Sequence, residues 1–225
     1  MKTIFLISIA FLSGCPAQQP QQKLTLEQLR ERTQKVIENI QNKPEWLSPA
    51  DACPAQIMPE IEKKIEYRSE GCAGDPEKCL EKCRADDANA CYALAILLQE
   101  QKGIEEKSAK SLFLRSCRLG IVSGCTNYAA VIFNSETENG AATKCAADTF
   151  EKTCARNDAW GCAMYGSALA TGLGREQNDD QALRFLAKAC QVAVSVESPP
   201  CKSAREAEKV ILESKKAETG GKPKP

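Results

Sequence analysis

The sequence has no histidine among its 225 residues. Histidine is the commonest general base near neutral pH and a frequent zinc ligand, so Ser-His-Asp catalysis and every histidine-containing zinc site are excluded. The chain also has no charge excess, because 30 Lys and Arg residues balance 30 Asp and Glu residues. Nucleic-acid-binding domains normally carry a basic excess, so we expect no nucleic-acid partner. β-branched and aromatic residues are sparse, and this composition favours helices over strands.

The first fourteen residues, MKTIFLISIAFLSG, combine an early lysine, a short apolar run and small residues. This order predicts a secretory signal peptide, because the run is too short to span a bilayer. Leu12, Ser13, Gly14 and Cys15 also resemble the bacterial lipobox. The resemblance implies cleavage before Cys15 and lipidation of that cysteine, which would anchor the chain stably on a membrane. The alternative is an ordinary signal peptide followed by an accidental cysteine.

The segment after the signal predicts how the rest of the chain is arranged. The stretch PAQQPQQK is polar and has no apolar period, which indicates a tether. We expect a lipid-anchored protein of the bacterial cell envelope, in the outer membrane and facing the periplasm or the cell surface, where disulfides persist. The predicted domains are a signal peptide (1–14), a lipid-anchored tether (15–23), an N-terminal helix with its linker (24–50), a repeat solenoid (51–216) and a disordered tail (217–225).

Residues 24–43 predict an amphipathic helix outside the repeats. Thr25 and Gln28 have the spacing of a capping box. An apolar stripe with helical period follows, and we expect it to dock on the first repeat as a cap. The stripe consists of Leu26, Leu29, Val36, Ile37 and Ile40.

The thirteen cysteines repeat along the chain with a nearly constant period. The first members of four pairs are separated by 34, 37 and 36 residues, and the second members by 34, 37 and 39. A period near 35 residues is typical of helical-repeat arrays. The pairs are Cys83 and Cys91, Cys117 and Cys125, Cys154 and Cys162, and Cys190 and Cys201.

Each repeat unit is predicted to contain two short helices. Helix A begins at the second cysteine of one pair, and helix B carries an apolar stripe that ends at the first cysteine of the next. Turn-forming stretches at 100–108, 134–140 and 171–180 separate the two helices. Residues 55–69 would form helix A of the earliest unit, with Pro59 near its start, and residues 203–214 would form a C-terminal cap.

This pattern resembles the Sel1-like repeat family, in particular its cysteine-rich, disulfide-stapled branch, over about residues 55–213. The matching motifs are RSC, KTC and KAC at the ends of helix B, the Cys-x7-Cys loops, and GLG with DDQAL in the third full unit. The resemblance implies an all-α, right-handed solenoid of about four antiparallel helix pairs. The second unit lacks the glycine-rich motif, the last pair is stretched to Cys190-x10-Cys201, and Ala90 stands where Gly124 and Gly161 stand elsewhere.

The cysteine pairs are interpreted as structural disulfides rather than as metal or redox sites. Only CLEKC, with Cys79 and Cys83, has the cysteine spacing of a zinc knuckle. The Cys-x-x-Cys motif of redox-active sites does not occur. Cysteines on either side of a tight helix connection lie close enough to bridge. We therefore predict the disulfides Cys83–Cys91, Cys117–Cys125, Cys154–Cys162 and Cys190–Cys201. Cys53, Cys72, Cys79 and Cys145 leave three connectivities open, with one bridge plausible among the first three and with Cys145 as a candidate free thiol.

No catalytic constellation is present in the sequence. No serine has lysine three positions later, and Lys-Thr-Gly does not occur. We therefore expect no metal and no cofactor, and a non-catalytic scaffold that binds an unidentified protein or peptide on the concave face formed by the A helices. The alternative, implied by the family resemblance alone, is a hydrolase of the β-lactamase or penicillin-binding type.

Overall fold

The computed structural model of the protein describes residues 24–42, 53–101, 106–136 and 138–220. The predicted signal peptide, Cys15, the tether and the linker at 43–50 lie outside these ranges. The described residues form helices and no strands, which confirms the all-α class. The helices are α1 (Leu26–Asn42), α2 (Pro54–Ile57), α3 (Glu70–Ala73), α4 (Pro76–Arg84), α5 (Ala88–Glu100), α6 (Glu106–Arg118), α7 (Val122–Ser135), α8 (Ala141–Ala155), α9 (Ala159–Thr171), α10 (Asp179–Val192) and α11 (Pro199–Gly220).

The helices stack as a disulfide-stapled repeat array. From α4 to α11 each helix packs against the next one in the chain. The A helices are α5, α7, α9 and α11, and the B helices are α4, α6, α8 and α10. In addition, α9 contacts both α7 and α11, so these three A helices lie in one layer. None of the helices in the described ranges has the length and hydropathy needed to cross a bilayer.

The tight connection between helix B and the next helix A uses the same backbone conformation in three units. The residue three positions after the first cysteine has a positive φ of 64°, 105° and 61° in Asp86, Gly120 and Asn157. Aspartate, asparagine and glycine tolerate this left-handed region better than other residues. This conformation ends helix B and turns the chain directly into helix A.

The A helices begin three residues earlier than predicted, at Ala88, Val122 and Ala159. In two of the loops an aspartate caps the new helix: Asp87 accepts a hydrogen bond from the Ala90 amide, and Asp158 accepts one from the Gly161 amide. These caps pair main-chain donors that would otherwise lack partners. The second cysteine therefore lies inside the first turn of helix A.

Close contact between the helices explains the glycine before the second cysteine. The Cα atoms of the disulfide pairs lie 4.6 Å apart in Cys117–Cys125 and 4.4 Å apart in Cys154–Cys162. At this separation a Cβ on Gly161 would overlap the Thr153 hydroxyl. The first loop carries alanine instead, opposite Lys82, which has no hydroxyl at its Cβ.

Six disulfides join all twelve cysteines that follow Cys15. Four of them are Cys83–Cys91, Cys117–Cys125, Cys154–Cys162 and Cys190–Cys201, the same pairs that the spacing predicted. The structure also joins Cys72 to Cys79 and Cys53 to Cys145. The expectation of a free thiol at Cys145 is therefore wrong, because the N-terminal part of the chain runs back across the array and brings Cys53 to α8.

The N-terminal helix α1 packs against α4 and α6, as its apolar stripe predicted. The capping box forms: Thr25 N donates to Gln28 Oε1 over 3.0 Å, and Gln28 N donates to Thr25 Oγ1 over 3.2 Å. Val36, Ile37 and Ile40 are buried. Leu26, placed in the stripe by its spacing, is instead 62% exposed; it is the first residue of the helix.

The prediction of a helix over residues 55–69 is wrong. The helix α2 ends at Ile57, and Met58 is extended with φ −65° and ψ 120°. The proline at position 59 disfavours helical backbone at Met58. We call residues 53–68, from the cysteine that reaches α8 to the start of α3, the strap. At the other end of the chain, α11 continues to Gly220, through residues predicted to begin the tail.

The close approach at Gly161 leads to a testable prediction. Gly161→Ala should lower the free energy of unfolding by about 1–3 kcal/mol, because the added methyl group overpacks the contact with Thr153. Urea unfolding with the disulfides intact measures this. Adding Thr153→Ala should restore part of the loss. Gly140→Ala, whose methyl meets no atom within 4 Å, should change stability less, and an equal loss in both variants would contradict the close-approach explanation.

Candidate functional site

One set of repeat positions is open, meaning half-buried or exposed, on three successive A helices. On α9 the open positions form one stripe along the helix, which consists of Trp160, Met164, Ser167 and Thr171. The equivalent positions are 37 residues earlier in the sequence on α7 and 39 residues later on α11. Because α7, α9 and α11 contact each other in series, the stripes lie side by side. We call this surface the A-face; its residues are Ser123, Asn127, Ala130, Asn134, Trp160, Met164, Ser167, Thr171, Pro199, Ser203, Glu206 and Val210.

The A-face is almost free of charge on a chain that is 27% charged. Glu206 is its one charged residue. Trp160 is 36% exposed and Val210 is 62% exposed. Tryptophan and methionine are enriched in the cores of protein interfaces, whereas charged residues are depleted there. The composition of the A-face is therefore that of a binding surface.

On the first A helix, α5, the first two of these positions are covered, whereas the last two, Ile96 and Glu100, are half-buried and exposed, respectively. The residues equivalent to Ser123 and Asn127 are Asn89 and Ala93, and both are buried. The strap covers Asn89, whose side-chain oxygen accepts a hydrogen bond from the Glu66 amide over 2.8 Å. Its side-chain nitrogen donates to the Lys64 carbonyl over 3.2 Å. Thus, at the position on α5 that is equivalent to Ser123 of the A-face, the side-chain amide of Asn89 binds the main chain of an extended segment.

From Cys53 the strap crosses the three tight connections in the reverse of chain order. Beside the last connection, Arg156 donates to the Pro59 carbonyl over 2.6 Å. At the middle connection, the Lys63 amide donates to the Gly120 carbonyl over 2.9 Å. Gly120 is suited to this contact, because a Cβ there would lie 3.0 Å from the Ile61 carbonyl oxygen. The strap then reaches Asn89 at the first connection.

The strap replaces a contact that the neighbouring units make with each other. The basic residue two positions before the first cysteine donates to the equivalent cysteine carbonyl of the preceding unit: Arg115 to Cys83 over 3.1 Å, and Lys188 to Cys154 over 2.9 Å. In the unit between them, Lys152 donates instead to the strap carbonyl of Ala55, over 2.6 Å. The hydrogen bonds between the array and the strap therefore use main-chain groups of the strap, while Ile57, Ile65 and Tyr67 pack against the core.

A cleft of about 730 Å³ lies beside the start of the strap. Both members of the Cys53–Cys145 disulfide line it, together with the aromatic ring of Tyr128. Lys110 lies over that ring, with its ammonium 5.2 Å from the ring centroid. The lining combines apolar and charged groups; the other residues are Gln56, Ile132, Ser135, Glu136, Ala141, Ala142, Lys144 and Asp148.

Tyr92, on α5, is buried next to Ser123 and Asn127, the first two A-face residues of α7. Burial raises the pKa of Tyr92, and the negative charge of Asp158 raises it further. Arg68 acts in the opposite direction, as do hydrogen bonds with Asn127 and Ser123. The phenol therefore stays protonated at neutral pH and links α5 to the first stripe of the A-face.

The structure assigns structural roles to the cysteines described. All except Cys53, Cys145 and Cys190 are buried. In the described ranges no three His, Cys, Asp or Glu side chains cluster as metal ligands. No binding residues were named from the sequence, although a signal was present: positions 123, 127, 130 and 134 and their partners 37 residues later all carry uncharged residues.

Comparison with known proteins finds a structural neighbour but no related sequence. No protein-family model matches the chain, and no curated protein matches it. Among solved structures, the cysteine rich protein B of Helicobacter pylori is similar, with a TM-score of 0.41 and 19% sequence identity. That alignment covers 61% of this chain and 97% of the Helicobacter protein.

The contact between Asn89 and the strap is testable. Asn89→Ala removes the partner of the Glu66 amide and the Lys64 carbonyl. Both belong to exposed residues that water can solvate, so we expect a loss of about 0.5–1.5 kcal/mol in the free energy of unfolding. Hydrogen exchange at the Glu66 amide should become faster. Asn134→Ala, at an exposed A-face position, is the control and should change neither quantity. Unchanged exchange at Glu66 in Asn89→Ala would show that the amide does not hold the strap.

Proposed function

We propose that the chain is a membrane-anchored envelope lipoprotein whose Sel1-like repeats act as a non-catalytic scaffold that binds a protein or peptide. The observation that carries this proposal is the A-face: three neighbouring helices leave the same repeat positions open, and eleven of the twelve residues there are uncharged. Solenoids present such extended surfaces to their partners.

An extended segment of the partner fits this surface best. The strap supports this, because Asn89 holds its main chain at the α5 end of the same layer of helices. Asn127, one turn further along in the next unit, carries a second side-chain amide; its hydrogen bond with Tyr92 occupies one of its groups, and its carbonyl oxygen could accept from a main-chain amide of the partner. Main-chain recognition supplies affinity to an extended peptide, and side-chain contacts supply selectivity. Trp160 and Met164 are suited to the second role.

The anchoring part of the proposal rests on the sequence. Leu12, Ser13, Gly14 and Cys15 have the lipobox order, and a lipidated cysteine followed by a polar tether would hold the array near an envelope membrane. The hydrolase alternative is not favoured, because no serine of the chain has the required lysine partner.

Partner binding on the A-face can be tested by crosslinking. Replacing Trp160 by a photoreactive amino acid in cells should trap a partner, whereas the same replacement at Arg184, an exposed residue of the B helix α10, should not. Trp160→Ser with Val210→Ser should abolish capture while changing stability by less than about 1 kcal/mol, because both side chains are exposed.

Two controls accompany the crosslinking. Val194→Ser removes a fully exposed apolar side chain from the loop between α10 and α11, and deletion of residues 221–225 removes the C-terminal end. Both variants should retain the partner. Recovery of no partner from position 160 under stringent capture, in cells where the protein is abundant, would contradict the scaffold proposal.

Lipidation gives a separate prediction. In the native chain, membrane extraction and intact mass should show cleavage before Cys15 and added acyl chains. Cys15→Ser should move the protein from the membrane to the soluble fraction. An unlipidated wild-type protein in the soluble fraction would contradict the anchor and leave the A-face proposal unaffected.

A further inference from the structure

The Cys53–Cys145 disulfide differs from the other five. Both of its cysteines are partly exposed, whereas at least one cysteine of every other pair is buried. It also joins residues 92 positions apart, whereas the others join residues 7 to 11 positions apart. Exposure and access govern how readily a disulfide exchanges with an external thiol. This disulfide is therefore the one of the six in which both cysteines are partly exposed; Cys190–Cys201 is partly exposed at Cys190 alone.

The cleft beside this disulfide leaves room for an attacking thiol. Both sulfur-bearing residues line the cavity of about 730 Å³. Lys110 and Lys144 line it as well, with Glu136 and Asp148 as the acidic residues. Arg175 is paired with the Asp148 carboxylate over 2.6 Å. Arg175 also pairs with Glu151, so the two lysines and two acidic residues leave the lining of the cleft without a net charge. The cleft therefore contributes access to the disulfide rather than a charge that attracts a thiolate.

The disulfide is the covalent attachment of the strap to α8. Beyond α2, residues 60–64 of the strap are exposed. The strap is otherwise held by hydrogen bonds with Thr149, Lys152, Arg156, Gly120 and Asn89. Ile57, Ile65 and Tyr67 also pack against the core, each only partly buried. Ordering an extended segment is opposed by its conformational entropy, which the crosslink reduces. Opening this bond therefore favours release of residues 53–66.

We propose that Cys53–Cys145 is a site of reversible reduction by a dithiol, either an oxidoreductase or a small molecule, and that its reduction releases the strap. The thiolate of the dithiol attacks Cys53 Sγ and breaks the bond to Cys145 Sγ, and Cys145 leaves as a thiolate that takes up a proton. The second thiol of the dithiol then attacks the mixed disulfide, which frees Cys53 as a thiol and leaves the dithiol oxidised. Two electrons pass from the dithiol to the protein.

The released strap changes the binding surface. Asn89 loses its main-chain partners at Lys64 and Glu66, and its amide becomes available to another extended segment. The A-face then extends onto α5. This regulatory consequence rests on the proposed function; the reduction and the release of the strap do not.

Graded reduction of the folded wild-type protein tests the site. Aliquots are exposed to increasing dithiothreitol, free thiols are alkylated, and each cysteine is quantified by peptide mass. Cys53 and Cys145 should become labelled at a dithiothreitol concentration at least about tenfold below that needed for Cys117 and Cys125. Labelling of another pair first, or of all pairs together, would overturn the proposal.

Hydrogen exchange tests the release. After selective reduction, amides in residues 55–66 should exchange at least about tenfold faster, while α9 and α10 stay protected. Cys53→Ser with Cys145→Ser should reproduce this without reductant. Cys190→Ser with Cys201→Ser is the matched control, since it opens a disulfide far from the strap, and should leave residues 55–66 protected. A strap that stays protected after Cys53–Cys145 is opened would overturn the release.

A trans peptide tests the freed groove. A synthetic peptide of residues 53–68, with serine at position 53, should bind the Cys53→Ser, Cys145→Ser variant more tightly than a scrambled peptide of the same composition. Asn89→Ala added to that variant should weaken binding of the native peptide. Equal binding of both peptides would contradict specific seating of the strap. None of these measurements needs the cellular partner, so their failure is distinguishable from failure of the scaffold proposal.

Discussion

The short covalent connection between one helix B and the next helix A is the constraint on which the rest of the array depends. The Cα atoms of the cysteines that close it lie 4.4 to 4.6 Å apart in all four units. The backbone can turn this sharply because Asp86, Gly120 and Asn157 accept a positive φ. The alignment of open positions on α7, α9 and α11, and thus the A-face, follows from these connections.

The strap adds a second constraint that acts across the repeats. It contacts the three connections in the reverse of chain order; its hydrogen bonds to them use main-chain groups of the strap, and Ile57, Ile65 and Tyr67 pack against the core. At α5 it occupies positions that the later A helices leave open. The same surface that holds this internal segment at one end is therefore suited to an external segment along the rest of its length. The partly exposed Cys53–Cys145 disulfide holds the internal segment in place, and its reduction is proposed to free the α5 end of this surface for an external segment.

The local features were predictable because short sequence signals encode them. The cysteine period located four disulfides, the turn-forming stretches located the breaks between helices, and Thr25 with Gln28 located the start of α1. The path of the strap was not predictable. Ile57, Ile61 and Ile65 have helical spacing, but Pro59 disfavours helix at Met58, and distant partners on α5, α8 and the middle connection hold the remainder extended.

By itself the sequence determined the repeat, its helices and the disulfides that close loops of nine to twelve residues, because the partners in such a loop are brought together by the turn between them. Only the tertiary structure decided that Cys53 joins Cys145, 92 residues away, and that the first two A-face positions are open on three helices but covered on α5. Those contacts exist only after the units have stacked. Proximity in the folded array, rather than spacing along the chain, selects the partners.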